Sequence, residues 1–251
     1  MSILAYIESK SNKPKKSSFE VVSYAKELSK QLSLELIVVA INIDDSSDLN
    51  KYGPDKIITI KDTGLDKFDA KIYADIISQV CIKFSTSHII LSGSVDSKYL
   101  APILSIKIEA GYVSNVVDLP SKLEPFTVKR TSFSNKSFCD TTITSDKKII
   151  SVSNNSFSPV ENPSKPIFVD FQAEISDRKM TQNSLDLAKG NISIADADIV
   201  VSAGRGLKGP ENWSIIEDLA NTLGAATAVS YTHLRAHETG RNLVCRLLLE
   251  K

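Results

Sequence analysis

The chain has 251 residues, 42 % of them apolar and 24 % charged, with 30 Lys and Arg set against 30 Asp and Glu. That composition suits a soluble globular protein with a core of useful size, and the zero net charge argues against nucleic acid as a partner, because a basic surface supplies most of that affinity. There is no run of about 18 apolar residues to span a bilayer, and the N-terminus MSILAYIESK lacks the basic region and cleavage site of a secretory signal.

Residues 2–7 form a short apolar run, as a buried strand requires. Lys13, Lys15 and Lys16 follow in a Ser/Asn/Pro segment. A short charge run without interleaved aromatics reads as a solvated loop. Over 17–32, Phe19, Val22, Ala25 and Leu28 recur near helical spacing. The β-branched runs 36–43 and 56–60 are predicted strands. Residues 66–84 are a predicted amphipathic helix with Ile72, Tyr73, Ile76, Ile77, Val80, Cys81 and Phe84 on one wide stripe. A strand at 88–91 closes on Ser92-Gly93. A helix over 95–110 is expected to hold Pro102 near its first turn, and 112–117 is again a strand. Alternating strands and helices imply βαβ units and a mainly parallel sheet flanked by helices.

From Phe126 the pattern changes. Three strand-like pieces, 126–133, 137–144 and 147–153, are separated by short polar turns and predict an antiparallel meander appended to the sheet. Another strand is expected at 167–171. Residues 178–191 are polar and weakly patterned, and read as an interdomain linker. The cysteines, Cys81, Cys139 and Cys245, match no disulfide framework or zinc spacing. A reducing cytoplasm fits them, with Cys81 as a buried thiol.

A predicted strand at 198–202 then leads into Gly204-Arg205-Gly206-Leu207-Lys208-Gly209 and a helix over 211–223 carrying Trp213, Ile216 and Leu219 on one face. The loop fits G-x-G-x-x-G in the strand-to-helix context where backbone N–H groups meet phosphate. The pattern allows two readings, a phosphate-binding loop and a tight turn without ligand. No acidic residue lies about 20 positions on to hold the ribose of NAD.

These residues resemble a known signature. Val200-Val201-Ser202-Ala203-Gly204-Arg205-Gly206-Leu207-Lys208, then Glu211-Asn212-Trp213 and Leu219-Ala220, resemble the V-V-S-G-G-R-G-L-K, G-E-N-F and L-A-x-x-L-G-A-A segments of the electron transfer flavoprotein alpha subunit family. Ala203, Pro210 and Trp213 are mild departures. Upstream, Leu100-Ala101-Pro102 and Gly111-Tyr112-Val113-Ser114-Asn115-Val116-Val117-Asp118-Leu119 are similar to the family's L-A-P-R helix and G-x-V-S-D-V-x-D-L strand, with Ile103 and Asn115 for an arginine and an aspartate. Lys129-Arg130-Thr131, with Asn135 and Cys139, resembles a third segment. The resemblance covers about residues 1–230.

What the resemblance implies is an electron carrier and not an enzyme: a subunit of a heterodimer with a beta subunit. Its second domain would bind FAD and pass electrons from dehydrogenases, such as those acting on acyl-CoA in fatty acid β-oxidation, to a quinone-linked or other acceptor. Arg205 and Ser230 match FAD-contacting positions, and Gly204 and Gly206 let the backbone approach the cofactor. Tyr231 stands where the family has an arginine beside the flavin ring. The expected organisation is an N-terminal α/β domain (1–175), a linker (176–197) and the start of a doubly wound FAD-binding domain (198–230).

Residues 231–251 read differently. Residues 1–230 hold 23 lysines and 3 arginines, whereas the last 21 hold 3 arginines, one lysine and two of the three histidines. The segment is expected to be a non-native read-through, so its His233, His237 and Glu238 are not taken as metal ligands. A chain cut off there is expected not to hold FAD alone. Two alternatives remain: a nucleotide-dependent oxidoreductase using the glycine loop, and an adenine-nucleotide-binding α/β module on the first domain, with His88 and Ser92-Gly93-Ser94 as its site.

Overall fold

A computed structural model describes residues 1–10, 12–176, 178, 194, 197, 199–207 and 209–229. The chain divides into two compact units, 1–181 and 182–251.

The first unit is built on β1 (Ser2–Ile7), α1 (Lys16–Leu32), β2 (Glu35–Ile41), β3 (Lys56–Ile60), α2 (Ala70–Lys83), β4 (Thr86–Ser92), α3 (Val95–Ile108), β5 (Ala110–Val116), β6 (Phe126–Ser132), β7 (Ser137–Thr142), β8 (Lys147–Val152) and β9 (Ile167–Asp170). One sheet orders these strands β7-β6-β5-β8-β4-β1-β2-β3-β9, and a short piece, Lys122–Leu123, also pairs with β6. The run from β5 to β9 is parallel throughout. The pairings of β6 with β5, with β7 and with Lys122–Leu123 are antiparallel.

Both faces of the parallel run are covered, which explains why its central strands are apolar without alternation. In β1, Leu4 and Tyr6 face α2 and α3 in one core, while Ile3, Ala5 and Ile7 face α1 in the other. Helices α2 and α3 start where side chains satisfy their free N–H groups. Asp69 Oδ1 accepts from the Lys71 and Ile72 amides ahead of α2, and Ser94 Oγ accepts from the Ser97 amide ahead of α3. The predicted start of α2 at residue 66 is therefore four residues early; the Asp69 cap decides it.

Two other expectations are corrected. The appended meander shrinks to the β6–β7 hairpin, because β8 lies between β5 and β4 and pairs parallel with both. Its Ile149, Ile150, Ser151 and Val152 are all buried, as an interior strand demands and a meander edge does not. Pro102 sits well inside α3 and not in its first turn. It removes the bond to the Lys98 carbonyl, but both residues are exposed, so water can satisfy that oxygen.

In the second unit, β10 (Val200–Ala203) and β11 (Ala226–Val229) pair in parallel, with α4 (Ser214–Leu223) between them in sequence. Gly224 closes α4 at φ +61°, where a side chain would be strained, and the Ala225 amide returns to the Ala220 carbonyl at 2.8 Å. Trp213, Ala220 and Ala226 are buried. Leu219, expected beside Trp213 on an inner face, is 47 % exposed.

Candidate functional site

The glycine loop joins the carboxyl end of β10 to α4, with β11 parallel beside it. Ligands of open α/β sheets collect at such strand ends. Gly204, Arg205 and Gly206 occupy the turn itself. The Leu207 amide donates to the Gly204 carbonyl at 3.1 Å, and the Gly209 amide to the Leu207 carbonyl at 2.8 Å. Asn212 Nδ2 adds a side-chain bond to the same Leu207 oxygen, also at 2.8 Å. The turn is thus held by its own backbone and Asn212. A Cβ at Gly206 would meet nothing within 4 Å, so the backbone there is open to an approaching group. Trp213 caps α4 without a side-chain hydrogen bond, and the Ile216 and Glu217 amides return to its carbonyl at 3.0 and 3.2 Å. Open backbone, tight turn and helix start suit the phosphates of a dinucleotide. Ser230 follows the last residue of β11 and lies outside the described residues, as do Lys208 and all of 231–251.

A second constellation lies in the first unit, at the carboxyl ends of β1 and β4. The sequence reading placed His88 with Ser92-Gly93-Ser94 there, and the structure separates them. His88 lies near the start of β4, four residues or about 13 Å of strand from Ser92. Its Nδ1 meets Ser87 Oγ at 2.9 Å and its ring packs on Phe126. Burial and the Lys148 charge push its pKa down to about 4, so it is a neutral core histidine at pH 7.

The serines instead face Glu8, the residue after β1. Ser92 and Ser97 hydroxyls donate to Glu8 Oε1 at 2.8 and 3.0 Å, and the Ser94 hydroxyl donates to the same oxygen. Lys15 Nζ lies 2.8 Å from Glu8 Oε2. Burial raises the Glu8 pKa, but the Lys15 charge and the hydrogen bonds from Lys15, Ser94 and Ser92 outweigh it and hold it below the usual 4.5. Asp96 shifts the other way, raised by burial and by Glu8. A cavity of 190 Å³ adjoins, lined among others by Tyr6, Glu8, Asn12, Asp66, Tyr73 and Asp96. Glu8 was missed in the sequence, where an acid ending an apolar strand run was the available signal. Lys15 is corrected: it is a partner of a buried carboxylate and not merely part of a solvated loop.

The model of the electron transfer flavoprotein domain matches residues 3–183, and that of the electron transfer flavoprotein FAD-binding domain matches 193–243. The second match runs past Ser230 into the segment set apart on composition. The electron transfer flavoprotein subunit alpha of Bacillus subtilis is 23 % identical over 218 residues, covering 85 % of this chain and 67 % of that protein. The mitochondrial subunit alpha of Oryza sativa subsp. indica is 31 % identical over 172 residues, 64 % of this chain and 47 % of that protein. The subunit alpha of Methylophilus methylotrophus is 23 % identical over 234 residues, 91 % of this chain and 73 % of that protein. The chain thus spans about half to three quarters of the length of these relatives. With a family model matched across most of its length, the chain belongs to the electron transfer flavoprotein family.

Proposed function

We propose that this chain serves in the alpha subunit of an FAD-containing heterodimer that carries electrons in the cytoplasm from dehydrogenases, those of fatty acid β-oxidation among them, to a quinone-linked or other acceptor. The observation that carries the reading is the open glycine loop between β10 and α4 at the carboxyl end of a parallel strand pair. Bound FAD supplies the electron-transfer chemistry; the protein supplies binding, orientation and electrostatics. Gly204 and Gly206 let the backbone approach the FAD phosphates, Arg205 provides a cation, and Ser230 adds a polar contact after β11. The chain acts as a carrier and performs no bond-making catalysis of its own. Residues 1–175 form the subunit-contact domain facing a beta subunit, 176–197 a linker, and 198–230 the opening of the FAD-binding domain. Among the described residues the second unit offers one strand–loop–helix–strand piece, too little to bury most of so large a ligand, so the 251-residue chain is expected not to retain FAD by itself.

The test is FAD titration of the uninterrupted alpha subunit, purified with its beta subunit, with and without Arg205→Ala. Loss of a charge-assisted contact should weaken binding by roughly 1.5–3 kcal/mol. Unchanged affinity would remove Arg205 from the site. A stoichiometric flavin band retained by the 251-residue chain after desalting would refute the statement that it cannot hold FAD.

A further inference from the structure

The carboxyl end of β4 and the start of α3 form the kind of corner that binds phosphate in open α/β folds: a Ser-Gly-Ser turn, a helix N-terminus and a nearby lysine. Here an anion already sits in it. Glu8 is 3 % exposed, and its Oε1 accepts three hydroxyls, from Ser92, Ser94 and Ser97. Its Oε2 takes the Lys15 ammonium. Ser92 and Ser97 are themselves buried, at 2 % and 0 % exposure, so they have little other use for their protons.

The backbone holds the carboxylate in place as firmly as the side chains do. The Glu8 amide donates to Ser18 Oγ at 3.1 Å, and the Ser18 hydroxyl returns to the Glu8 carbonyl at 3.0 Å. The Lys15 amide also reaches the Glu8 carbonyl, at 2.9 Å. A two-stranded ribbon, Ser9–Lys10 with Lys13–Pro14, folds the chain back to bring Lys15 over Glu8. Asp96 adds a second carboxylate, 3.6 Å from the same ammonium.

We propose that Glu8 is a built-in anion that fills this corner and closes the first unit to phosphate-bearing ligands such as nucleotides. A phosphate entering the corner would meet Glu8 and Asp96, two carboxylates against one lysine. It would also have to displace a carboxylate tethered to β1, which pays no association entropy. This proposal concerns the first unit alone and is independent of FAD binding by the second. Glu8→Ala would leave the Ser92, Ser94 and Ser97 hydroxyls without their carboxylate acceptor, with Asp96 still beside Lys15, next to a cavity.

The test adds inorganic phosphate, at fixed ionic strength, to the wild-type chain, to Glu8→Ala and to Glu8→Ala/Asp96→Asn. Calorimetric titration should give saturable binding to both variants, roughly tenfold or more tighter than to wild type, as one charge-assisted contact is worth. The double variant should bind more tightly than the single one. Amide NMR of the wild-type chain supplies an arm that needs no variant to fold: the 94–97 amides should not shift with phosphate. Saturable shifts of those amides in wild type would overturn the proposal, as would folded variants that bind no phosphate.

Discussion

Lys15 Nζ lies 2.8 Å from Glu8 Oε2, a cation only 26 % exposed against a carboxylate 3 % exposed. Removing one partner of such a pair strands a charge in a site that water barely reaches. Lys15→Met should therefore destabilise the first unit by about 2 kcal/mol, less than for a fully buried pair because the lysine is partly solvated. The pH dependence has a fixed sign. Glu8 is held below 4.5, so its contribution is present above pH 4.5 and is lost as pH falls through its lower folded value. Urea unfolding of wild type and variant from pH 7 to pH 3 would show the difference narrowing on the acid side. A constant difference would mean the pair does not act through charge.

His88 has a folded pKa of about 4, below its ordinary 6.5, set first by burial and then by Lys148. The neutral ring is the one the core accepts. Its contribution is fully present above pH 6.5 and declines as pH falls toward 4, by about 3 kcal/mol in total. His88→Gln should flatten the stability profile across that window. The Cε1 proton should titrate with a midpoint near the folded value. A midpoint near 6.5 would place His88 in contact with water.

At Gly93 a Cβ would lie 2.8 Å from the Val152 carbonyl oxygen, a backbone atom that cannot swing aside. Gly93→Ala should force β8 and the Ser92–Ser94 turn apart and cost about 1–3 kcal/mol. Gly206→Ala is the control, since a Cβ there meets nothing within 4 Å. Thermal unfolding should separate the two variants. Equal effects would show that the β4–α3 turn has more room than its geometry allows.

Cys81 is buried, and burial pushes its thiol up to about 12, whereas Cys139 is exposed on β7. The thiolate is the reactive form. Iodoacetamide at pH 8 should therefore modify Cys139 in the native chain and reach Cys81 only in denaturant. Peptide mass mapping reads the order directly. Early labelling of Cys81 would mean that α2 opens far more readily than its packing suggests.

The sequence by itself determined the alternation of strands and helices, the parallel sheet and the glycine loop, because each is written in local periodicity. Short, β-branched apolar runs such as Ile37–Val38–Val39 suit a strand covered on both faces. The loop at 204–207 was legible as a strand-to-helix turn because strand, glycines and helix lie in one contiguous stretch. What the tertiary structure alone decided are partners far apart in the chain. β8 reads locally as the third strand of a meander, yet it inserts between β5 and β4, since the buried slot there is where Ile149 and Ile150 lose most contact with water. Glu8 reads as an isolated acid, and Ser92, Ser94 and Ser97 as ordinary turn and helix residues. They meet across more than eighty positions because parallel pairing of β1 with β4 brings both carboxyl ends to one edge. Periodicity records which face of an element is buried; which residues of distant elements share one hydrogen-bonded corner is set only when the sheet's order and register are.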